Sequence, residues 1–526
     1  MKKVASLLAV LSALALVLSA CHKEDPETPV PAPSPKPAME LKLSSFSFKA
    51  ENNSRVHADA IGIIQDNDIR VNLPGLEDLR MLIPTFSGTY SRIYCNGKTL
   101  VSGTTAVDFS DKVEIRLYDE GNNSVTYNVI VNSRNLLPVV TIDTEAEITS
   151  RTETVNGTYS VTNCQEFGSV QGSGRFRGRG NATFLSYPKK AYKMKLDEQT
   201  SILGLHANKD WVLLAEYCDR SLLRNTYQFE MSTAAGMEWV PKYGHVDLYL
   251  NGSYNGMYLL TEQVERAKSK VQMEDDGFFI EHDNYYSWES LYFKTTRYGA
   301  HYTFKYPNPD NGNIAKNDAS YNYILGFMNE MEAVLDGADF ADPEKGYRKY
   351  LDAESFAKWY LVMEIMGNHD PNFYYVLPTR GAKLKMYPTW DAEWTLGVAS
   401  AGTNGWQTYP QTPMYTETSE MYRTRRYFKR LFKDPYFVEL VYSEWQKMKP
   451  RIPAARANVE AETARISYGT TANFDRWKIL GVNGLSVCLV AFPTWKQEVD
   501  YASSWLDKRI AWFDGYISDL YAKSKQ

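Results

Sequence analysis

The sequence is poor in the residues that build metal clusters and disulfide networks. Its 526 residues include only five cysteines and seven histidines. The cysteines are scattered at positions 21, 95, 164, 218 and 488, and no two of them form a Cys-x-x-Cys pair. A zinc site is therefore not expected. One or two disulfides could form in an oxidising compartment, but the spacing does not identify the partners.

The sequence also lacks a net positive charge, and long apolar runs are absent after the first twenty residues. The formal net charge is −5, and it becomes about −7 when Lys2 and Lys3 leave with a signal peptide. A mildly acidic chain without a basic patch is not expected to bind nucleic acid. No later stretch reaches the roughly 18 consecutive apolar residues that a membrane helix requires.

The N-terminus has the pattern of a lipoprotein signal. A basic start precedes an apolar run over residues 4–18, which is too short for a comfortable membrane span. Leu-Ser-Ala-Cys at 18–21 resembles a bacterial lipobox, in which Cys21 is acylated and becomes the new N-terminus. An ordinary signal peptide containing a cysteine is the alternative. The acidic segment 22–25 resembles the export tag of Bacteroidetes-type surface lipoproteins, although attachment facing the periplasm stays open.

These patterns divide the first part of the chain into three segments. Residues 1–20 are predicted to be the lipoprotein signal peptide, and 21–37 an acylated cysteine followed by an extended, proline-rich spacer. Residues 38–134 contain short runs of alternating polar and apolar residues, which predict an all-β sandwich. This module resembles the immunoglobulin-like domain of surface lipoproteins. We expect it to be a spacer, with glycan binding as an alternative.

The remaining segment, 136–522, begins with strand patterns and becomes helical after about residue 315. Asp352 is a suitable N-cap for a helix reaching about residue 366, and a hairpin of strands over 373–377 and 384–387 is expected to follow. A β-rich lobe followed by a helix-rich lobe is therefore predicted, with one site between them.

Two acids flank that hairpin, and basic residues precede it. Asp370 lies in Asn-His-Asp-Pro-Asn, and Asp391 lies in Trp-Asp-Ala-Glu. Upstream are Arg-Gly-Arg-Gly-Asn at 177–181 and a lysine-rich strand at 189–195. Phosphoryl transfer needs cations around the phosphates and carboxylates for magnesium, so this combination favours that chemistry. The sequence has no Walker motif, His-Arg-Asp or Asp-Phe-Gly, and motifs alone therefore do not identify a kinase.

Taken in order, these segments and those at 209–215, 219–225 and 248–263 resemble the spore-coat protein H (CotH) kinase family. This is an atypical, secreted group of protein-kinase-like proteins, and the resemblance covers roughly residues 139–515. It implies an α+β bilobal atypical protein-kinase-like domain in a multidomain chain. It also implies that ATP and Mg²⁺ are used to phosphorylate Ser or Thr of a secreted or surface protein.

The resemblance assigns roles to the acidic residues. Asp391 is the expected magnesium ligand, and Asp370 is expected to orient or deprotonate the acceptor hydroxyl. Asn372 could complete the magnesium shell, although asparagine after proline is also an ordinary turn residue. Glu393 stands where family members often carry aspartate, and its longer side chain changes the geometry of the metal site.

The nucleotide is expected to contact basic residues of the first lobe. One lysine of the strand should hold the α- and β-phosphates and be fixed by Glu262, as in the lysine–glutamate pairs of kinases, but the sequence does not say which lysine. The arginine fork suits phosphate. The predicted nucleotide-binding residues are Arg177, Arg179, Lys190, Lys193, Lys195 and Glu262.

Two alternatives to an outer-membrane, surface-exposed protein kinase stay open. One is a catalytically inactive, kinase-like binding or adhesion lipoprotein that recognises glycan or another envelope component, since ATP is scarce outside the cytoplasm. The other keeps the site but transfers a phosphoryl or nucleotidyl group to a non-protein acceptor.

Overall fold

The computed structural model describes residues 40–526, with gaps at 57–58, 74–75, 77, 134–136, 165–166, 399, 402–405, 408, 414–424, 468 and 487. The predicted signal peptide, the acylation site Cys21 and the proline-rich spacer lie outside the described residues. No helix of the described residues is long and apolar enough to cross a membrane.

The N-terminal region consists of two β-sheets that share one hydrophobic core. One sheet has the strand order β2-β1-β5, and the other β3-β4-β9-β8-β6-β7. Phe46 and Phe48 of β1 are buried in the same core as Ile115 of β8 and Val129 of β9. The region is mostly β, as predicted, while its immunoglobulin-like character stays a prediction. The strands are β1 (Lys42–Phe48), β2 (Ala60–Ile61), β3 (Ile63–Gln65), β4 (Asp68–Asn72), β5 (Pro84–Thr89), β6 (Arg92–Cys95), β7 (Lys98–Thr99), β8 (Val113–Tyr118) and β9 (Ser124–Asn132).

A closed barrel follows, with the strand order β10-β11-β12-β13-β14-β16-β15 and a parallel contact between β10 and β15 that closes it. Phe176, Met194 and Trp211 are buried in its interior. Since side chains alternate along a strand, Arg177 and Lys193 lie on the outer face. The strands are β10 (Val139–Thr144), β11 (Val155–Thr162), β12 (Val170–Arg179), β13 (Ala191–Thr200), β14 (Asn208–Leu214), β15 (Tyr243–Leu250) and β16 (Ser253–Glu262).

The sheet that follows the barrel has the strand order β18-β19-β17-β20-β21 and is called the second sheet below. It contains the predicted hairpin. Its first strand, β20, has the predicted bounds, and its partner β21 is shorter than predicted. The strands of this region are β17 (Phe278–His282), β18 (Tyr292–Lys294), β19 (His301–Tyr306), β20 (Phe373–Leu377) and β21 (Lys385–Met386), with a separate pair β22 (Ser400–Ala401) and β23 (Trp406–Gln407).

Helices occupy most of the C-terminal half. Asp352 caps α4 as predicted, because its carboxylate accepts a hydrogen bond from the Ser355 N–H at 3.0 Å. The helix ends at Gly367, whose φ of +59° is left-handed. The helices are α1 (Ala182–Leu185), α2 (Arg224–Ala234), α3 (Ala319–Leu335), α4 (Ala353–Met366), α5 (Arg425–Leu431), α6 (Pro435–Met448), α7 (Ile452–Ile466), α8 (Thr470–Arg476) and α9 (Trp495–Ser524).

The outer face of the barrel packs against α2 and the second sheet. Val212 of β14 and Leu259 of β16 belong to one buried cluster with Phe229 of α2, Phe279 of β17 and Trp390. This apolar contact brings the arginine-bearing end of β12 to the loops that follow α4 and β21. The order of β-rich and helix-rich parts agrees with the prediction, and the kinase-like bilobal arrangement stays a prediction.

Candidate active site

The two predicted acids lie close together at the ends of two elements. Asp370 follows α4 and its glycine cap, and Asp391 follows β21. The negative charge of Asp370 contributes to raising the pKa of Asp391, which reflects their proximity. Both side chains reach solvent even though protein surrounds them, so they lie in a concave part of the surface.

Asn368 joins the two acid-bearing loops. Its Oδ1 accepts a hydrogen bond from the Asp370 N–H at 3.0 Å, and its Nδ2 donates to the Asp391 carbonyl at 2.9 Å. The same Nδ2 donates to Gln228 Oε1 of α2 at 2.8 Å. Asn368 is buried, so these hydrogen bonds are shielded from competing water. One side chain therefore fixes the spacing of both carboxylates.

Helix α2 supports the loop that carries Asp391. Asn225 Oδ1 accepts a hydrogen bond from the Ala392 N–H at 3.1 Å, and Ser232 and Thr389 share a hydroxyl hydrogen bond of 2.7 Å. Asp391 itself has a φ of +65°, which is uncommon for a residue other than glycine. The contacts on both sides of Asp391 hold this conformation, as is typical of strained residues at functional sites.

The start of α2 is fixed by a buried network. Asp219 accepts hydrogen bonds from the N–H groups of Leu223 and Arg224 at 3.0 and 2.7 Å, and it also pairs with the Arg224 guanidinium. Arg224 in turn donates to the Thr395 carbonyl at 2.9 Å. These residues are fully buried, so the segment 219–225 is structural and holds the Asp391 loop from behind.

Arg179 lies at the end of β12. It is the predicted phosphate-binding cation whose side chain faces Asp370 and Asp391. Its guanidinium lies over the Trp390 ring at 5.3 Å, and Asp391 and Glu281 act on its charge. Burial lowers the pKa of Arg179, and these acids partly offset that effect. Its guanidinium makes no hydrogen bond or ion pair with the described residues. It is therefore available to an anionic ligand.

A second cation reaches this region from the second sheet. Lys305 of β19 pairs with Glu281 of β17 at 2.7 Å, and Asn372 Nδ2 donates to the other oxygen of the same carboxylate. Glu281 acts on the charges of both Arg179 and Asp391. Burial lowers the pKa of Lys305, but Glu281 outweighs that effect, so the lysine stays charged.

The surroundings of Asp370 and Asp391 raise the pKa of both carboxyl groups above the usual value. Burial is the main cause that raises the pKa of Asp391 to about 7, followed by the charge of Asp370, while Arg179 opposes the shift. Burial alone raises the pKa of Asp370. A cation bound between them would lower both values and release protons.

The model of the CotH kinase protein family matches residues 175–513, more than half of the chain. This chain belongs to the CotH kinase family. The matched region begins within β12 and includes Arg179, Glu281, Lys305, Asp370 and Asp391. It also includes helices α2 to α8, so the family covers both the cationic and the acidic parts of the site.

The other comparisons add little to the CotH assignment. No curated protein matches this chain. A solved structure from Bacteroides thetaiotaomicron, provisionally described as a glycoside hydrolase, is 10% identical over 53% of this chain and 77% of its own, with a TM-score of 0.16. A similarity of that size carries no argument about fold or function.

The acids of this CotH family member suit magnesium in one particular way. Mg²⁺ usually binds one or two carboxylates and completes its shell with water and phosphate oxygens. Asp391 supplies one such carboxylate, and Asp370 and Asn372 lie nearby. Among the described residues, no group of three or more His, Cys, Asp and Glu side chains could hold a metal ion. The donor set therefore fits an ion that also binds phosphate.

Glu393 lies on the far side of the Asp391 loop. Burial is the main cause that raises its pKa well above the usual range, followed by the charges of Cys218 and Asp391. Glu216 and Asp219 act on it as well, so it faces the interior network behind the site. Its role as a metal ligand stays a prediction.

In the described part of the chain, Glu262 pairs with none of the three predicted lysines. Glu262 is buried on β16, where it accepts hydrogen bonds from Asn208 at 3.3 Å and from the Lys242 N–H at 3.0 Å. Strand β14 separates β16 from the lysine-bearing β13. Lys193 therefore pairs with its neighbour Asp210 at 2.7 Å.

The other basic residues of the prediction differ in how they are used. Lys190 donates to the Phe184 carbonyl at 2.5 Å, and Arg177 donates to the carbonyls of Arg151 and Gly178. Lys195 is exposed on β13. Of the predicted cations, Arg179 alone faces the acids in the described part of the chain.

Glu281 and Lys305 are the site residues that sequence reasoning missed. Each has a weak signal in the sequence. Glu281 is a carboxylate inside the buried strand Phe278–His282, where a charge needs a partner. Lys305 occupies an alternating strand, but nothing in the sequence shows that β17 and β19 are neighbours.

Proposed function

We propose that this CotH family member is a magnesium-dependent phosphotransferase that moves the γ-phosphoryl group of ATP to a Ser or Thr hydroxyl of a secreted or surface protein. Family membership supports a kinase-like activity. The observation that carries the proposal further is the charge-unpaired Arg179 facing the Asp370–Asp391 pair. A phosphate chain needs both a cation and a metal-binding acid, and these groups supply them.

At the nucleotide end, Arg179 and Lys305 bind the phosphates. The Arg179 fork forms two parallel hydrogen bonds to phosphate oxygens, and Trp390 beneath it restricts its orientation. Glu281 holds Lys305 in place and so has the role that the sequence analysis predicted for Glu262. Mg²⁺, when bound at Asp391, supplies positive charge that offsets the phosphate oxygens. The lysine–glutamate pair of this proposal thus comes from the second sheet.

At the acceptor end, Asp370 receives the proton of the hydroxyl. The hydroxyl oxygen bonds to the γ-phosphorus, the bond from that phosphorus to the β–γ bridging oxygen breaks, and ADP is the leaving group. Burial raises the pKa of Asp370, which makes it a better proton acceptor than an exposed aspartate. Asn368 keeps Asp370 at a fixed spacing from Asp391.

The proposed location is the outer membrane, with the protein exposed on the surface and anchored through lipid on Cys21. The support is the lipobox pattern and the acidic residues after it. Multiple acyl chains hold a protein at a membrane far better than one. Metabolic labelling with a radioactive fatty acid tests this proposal, since a Cys21→Ala variant should lose both the label and the membrane attachment.

The direct test is transfer of label from γ-³²P-ATP by the full chain with magnesium. An Asp391→Asn variant should lose transfer, because it removes the proposed metal ligand without changing side-chain size. Asp275→Asn is the matched control, since the Asp275 side chain is 95% exposed and pairs only with Arg266 in the described residues. Equal transfer by wild type and Asp391→Asn would contradict the proposal.

The inactive binding lipoprotein remains the second candidate because of an exposed aromatic group. Tyr285, Trp288 and Tyr292 are 48%, 52% and 40% exposed, and the first two rings lie 4.7 Å apart. Exposed flat rings of this kind suit stacking on sugars. Polysaccharide binding that is lost in Trp288→Ala, together with no thermal shift on adding ATP and magnesium, would favour this candidate.

A further inference from the structure

Two of the four described cysteines face each other across the fold. Cys218 and Cys488 are separated by 270 residues in the sequence and are both fully buried. The Cys488 Sγ lies 3.7 Å from the Cys218 carbonyl oxygen. Cys488 also raises the pKa of the Cys218 thiol, so the two thiols are close neighbours. Both are free thiols in this structure.

The other two described cysteines have different surroundings. Cys95 is buried in the core of the N-terminal sandwich. Cys164 lies in the core of the barrel, with its Sγ 3.5 Å from the Thr162 carbonyl. Burial is the cause that raises the pKa of each thiol, and no second thiol of the described residues contributes. They are natural internal controls.

Contacts that do not involve sulfur hold Cys218 and Cys488 together. Arg220, two residues after Cys218, is fully buried and donates hydrogen bonds to the carbonyls of Ile479, Val482 and Val490 at 3.0, 2.5 and 3.1 Å. These carbonyls flank Cys488 on both sides. In the folded chain, contacts other than a sulfur–sulfur bond therefore hold together the backbone segments that carry the two thiols, which favours a pairing with little strain.

We propose that Cys218 and Cys488 are a disulfide-forming pair in the exported protein. The inference rests on the proposed export, because disulfides persist in oxidising compartments, and it is independent of kinase activity. The oxidant is a disulfide donor of the thiol–disulfide oxidoreductase class.

One cysteine thiolate attacks a sulfur of the donor and forms a mixed disulfide, and the other displaces the donor thiol. The two cysteines lose two electrons and two protons, and the donor disulfide becomes two thiols. Because both sulfurs are buried in the finished fold, this exchange takes place before the core closes.

The bond would lie directly behind the candidate site. Trp394, which follows Glu393 in the Asp391 loop, lowers the pKa of the Cys218 thiol and therefore lies close to it. One residue after Cys488, the Leu489 N–H donates to the Val398 carbonyl at 3.1 Å. The cross-link therefore joins the segment before α2 to the segment that supports the end of this loop, and it closes the wall behind Asp391.

Differential alkylation of the full chain, purified from the envelope without reductant, tests the pairing. The protein is denatured in iodoacetamide, reduced, and then labelled with N-ethylmaleimide before mass spectrometry. We expect Cys218 and Cys488 to take only the second label and to appear as one cross-linked peptide pair before reduction. Cys95 and Cys164 should take the first label. First-step labelling of Cys218 and Cys488, or a bond from either to another cysteine, would overturn the proposal.

Thermal unfolding supplies a second test. A disulfide between distant residues restricts the unfolded chain, so reductant should lower the Tm of wild type by about 5 °C or more. The Tm of a Cys218→Ala, Cys488→Ala double variant should not respond to reductant. Equal responses of the two proteins would show that another bond is responsible and overturn the assignment. If the double variant does not fold, the alkylation test decides without it.

Discussion

The acids and the cations of the candidate site are positioned by different kinds of information. Asp370 and Asp391 each lie just beyond an element whose end is visible in the sequence. Asp352 and Gly367 delimit α4, and a short hairpin precedes Asp391. Local signals therefore place both carboxylates at the ends of elements that pack together.

The cations come from two separate sheets, and tertiary contacts select them. Arg179 belongs to the barrel, whereas Lys305 belongs to the second sheet, and only the packing of one against the other brings both to the acids. Lys193 is positively charged and lies on the outer face of its strand, as a phosphate ligand would. It is nevertheless already paired with Asp210. Asp370 and Asp391 could thus be located from their own segments, whereas the choice among the candidate cations needed the packing of the barrel against the second sheet.

The largest effect on activity is expected from a substitution of one of the two acids. Asp370→Asn should lower kcat by about 10³-fold, because the amide cannot accept the hydroxyl proton. ATP affinity should change little, since the proposed nucleotide contacts are made by other residues. Steady-state kinetics and calorimetric titration of ATP with magnesium measure the two quantities separately. A variant that keeps full kcat would remove Asp370 from the reaction.

Two matched substitutions test whether the nucleotide is bound by a positioned cation or by positive charge in general. Arg179→Ala should lower kcat/KM for ATP by about 10²-fold, because it removes a charged donor from the transferred phosphates. Lys195→Ala, one strand away on β13, removes the same charge from an exposed position and should leave kcat/KM nearly unchanged. Equal losses in the two variants would mean that general electrostatic attraction, rather than a positioned guanidinium, binds the nucleotide.

A smaller effect is expected from the second sheet. Lys305→Ala should raise the KM for ATP by about tenfold, since it removes one charge-assisted phosphate contact. It also frees Glu281 close to Asp391 and Arg179, so a weaker effect on kcat should accompany the change. Lys294→Ala on β18 removes an exposed lysine of the same sheet and is the control. If only Lys294→Ala affects KM, the assignment of Lys305 is wrong.

The sequence predicted the parts of the fold that depend on local patterns. The N-cap of α4 and the bounds of β20 follow from helix capping and from strand patterns in the local sequence. Family resemblance supplied the CotH assignment, which the family comparison confirms.

The rest depends on which strands become neighbours. Among the described residues, Glu262 has no contact with a β13 lysine, because β14 lies between β13 and β16. The partnership of Glu281 with Lys305 needs the register of β17 and β19, which no segment encodes by itself. The contact on which the proposed pairing of Cys218 with Cys488 rests likewise joins residues that are 270 positions apart. Residue type and spacing carry no direct record of such contacts.

The smallest expected effect is a dependence of stability on pH that comes from Asp391. Its pKa is raised to about 7 in the folded chain, whereas an unfolded aspartate titrates near pH 4. Between these values the folded state binds more protons, so the free energy of unfolding contributed by Asp391 falls as pH rises. An Asp391→Asn variant has no such loss. Without magnesium, its Tm should equal that of wild type near pH 4 and exceed it by about 2 °C at pH 8.

Two further conditions connect this stability effect to the proposed site. Adding magnesium and ATP at pH 8 should raise the Tm of wild type, because a bound cation stabilises the ionised carboxylate that the variant lacks. The difference in Tm between Asp391→Asn and wild type should therefore become smaller. The charges of Asp370, Glu281 and Arg179 stay in place in the variant, so they do not account for the difference. Asp275→Asn should show a gap that is independent of pH. If the Tm difference between Asp391→Asn and wild type is also independent of pH, the surroundings do not destabilise the ionised Asp391 carboxylate. The two acids would then lack the unfavourable electrostatic environment that distinguishes them from the cations of the site.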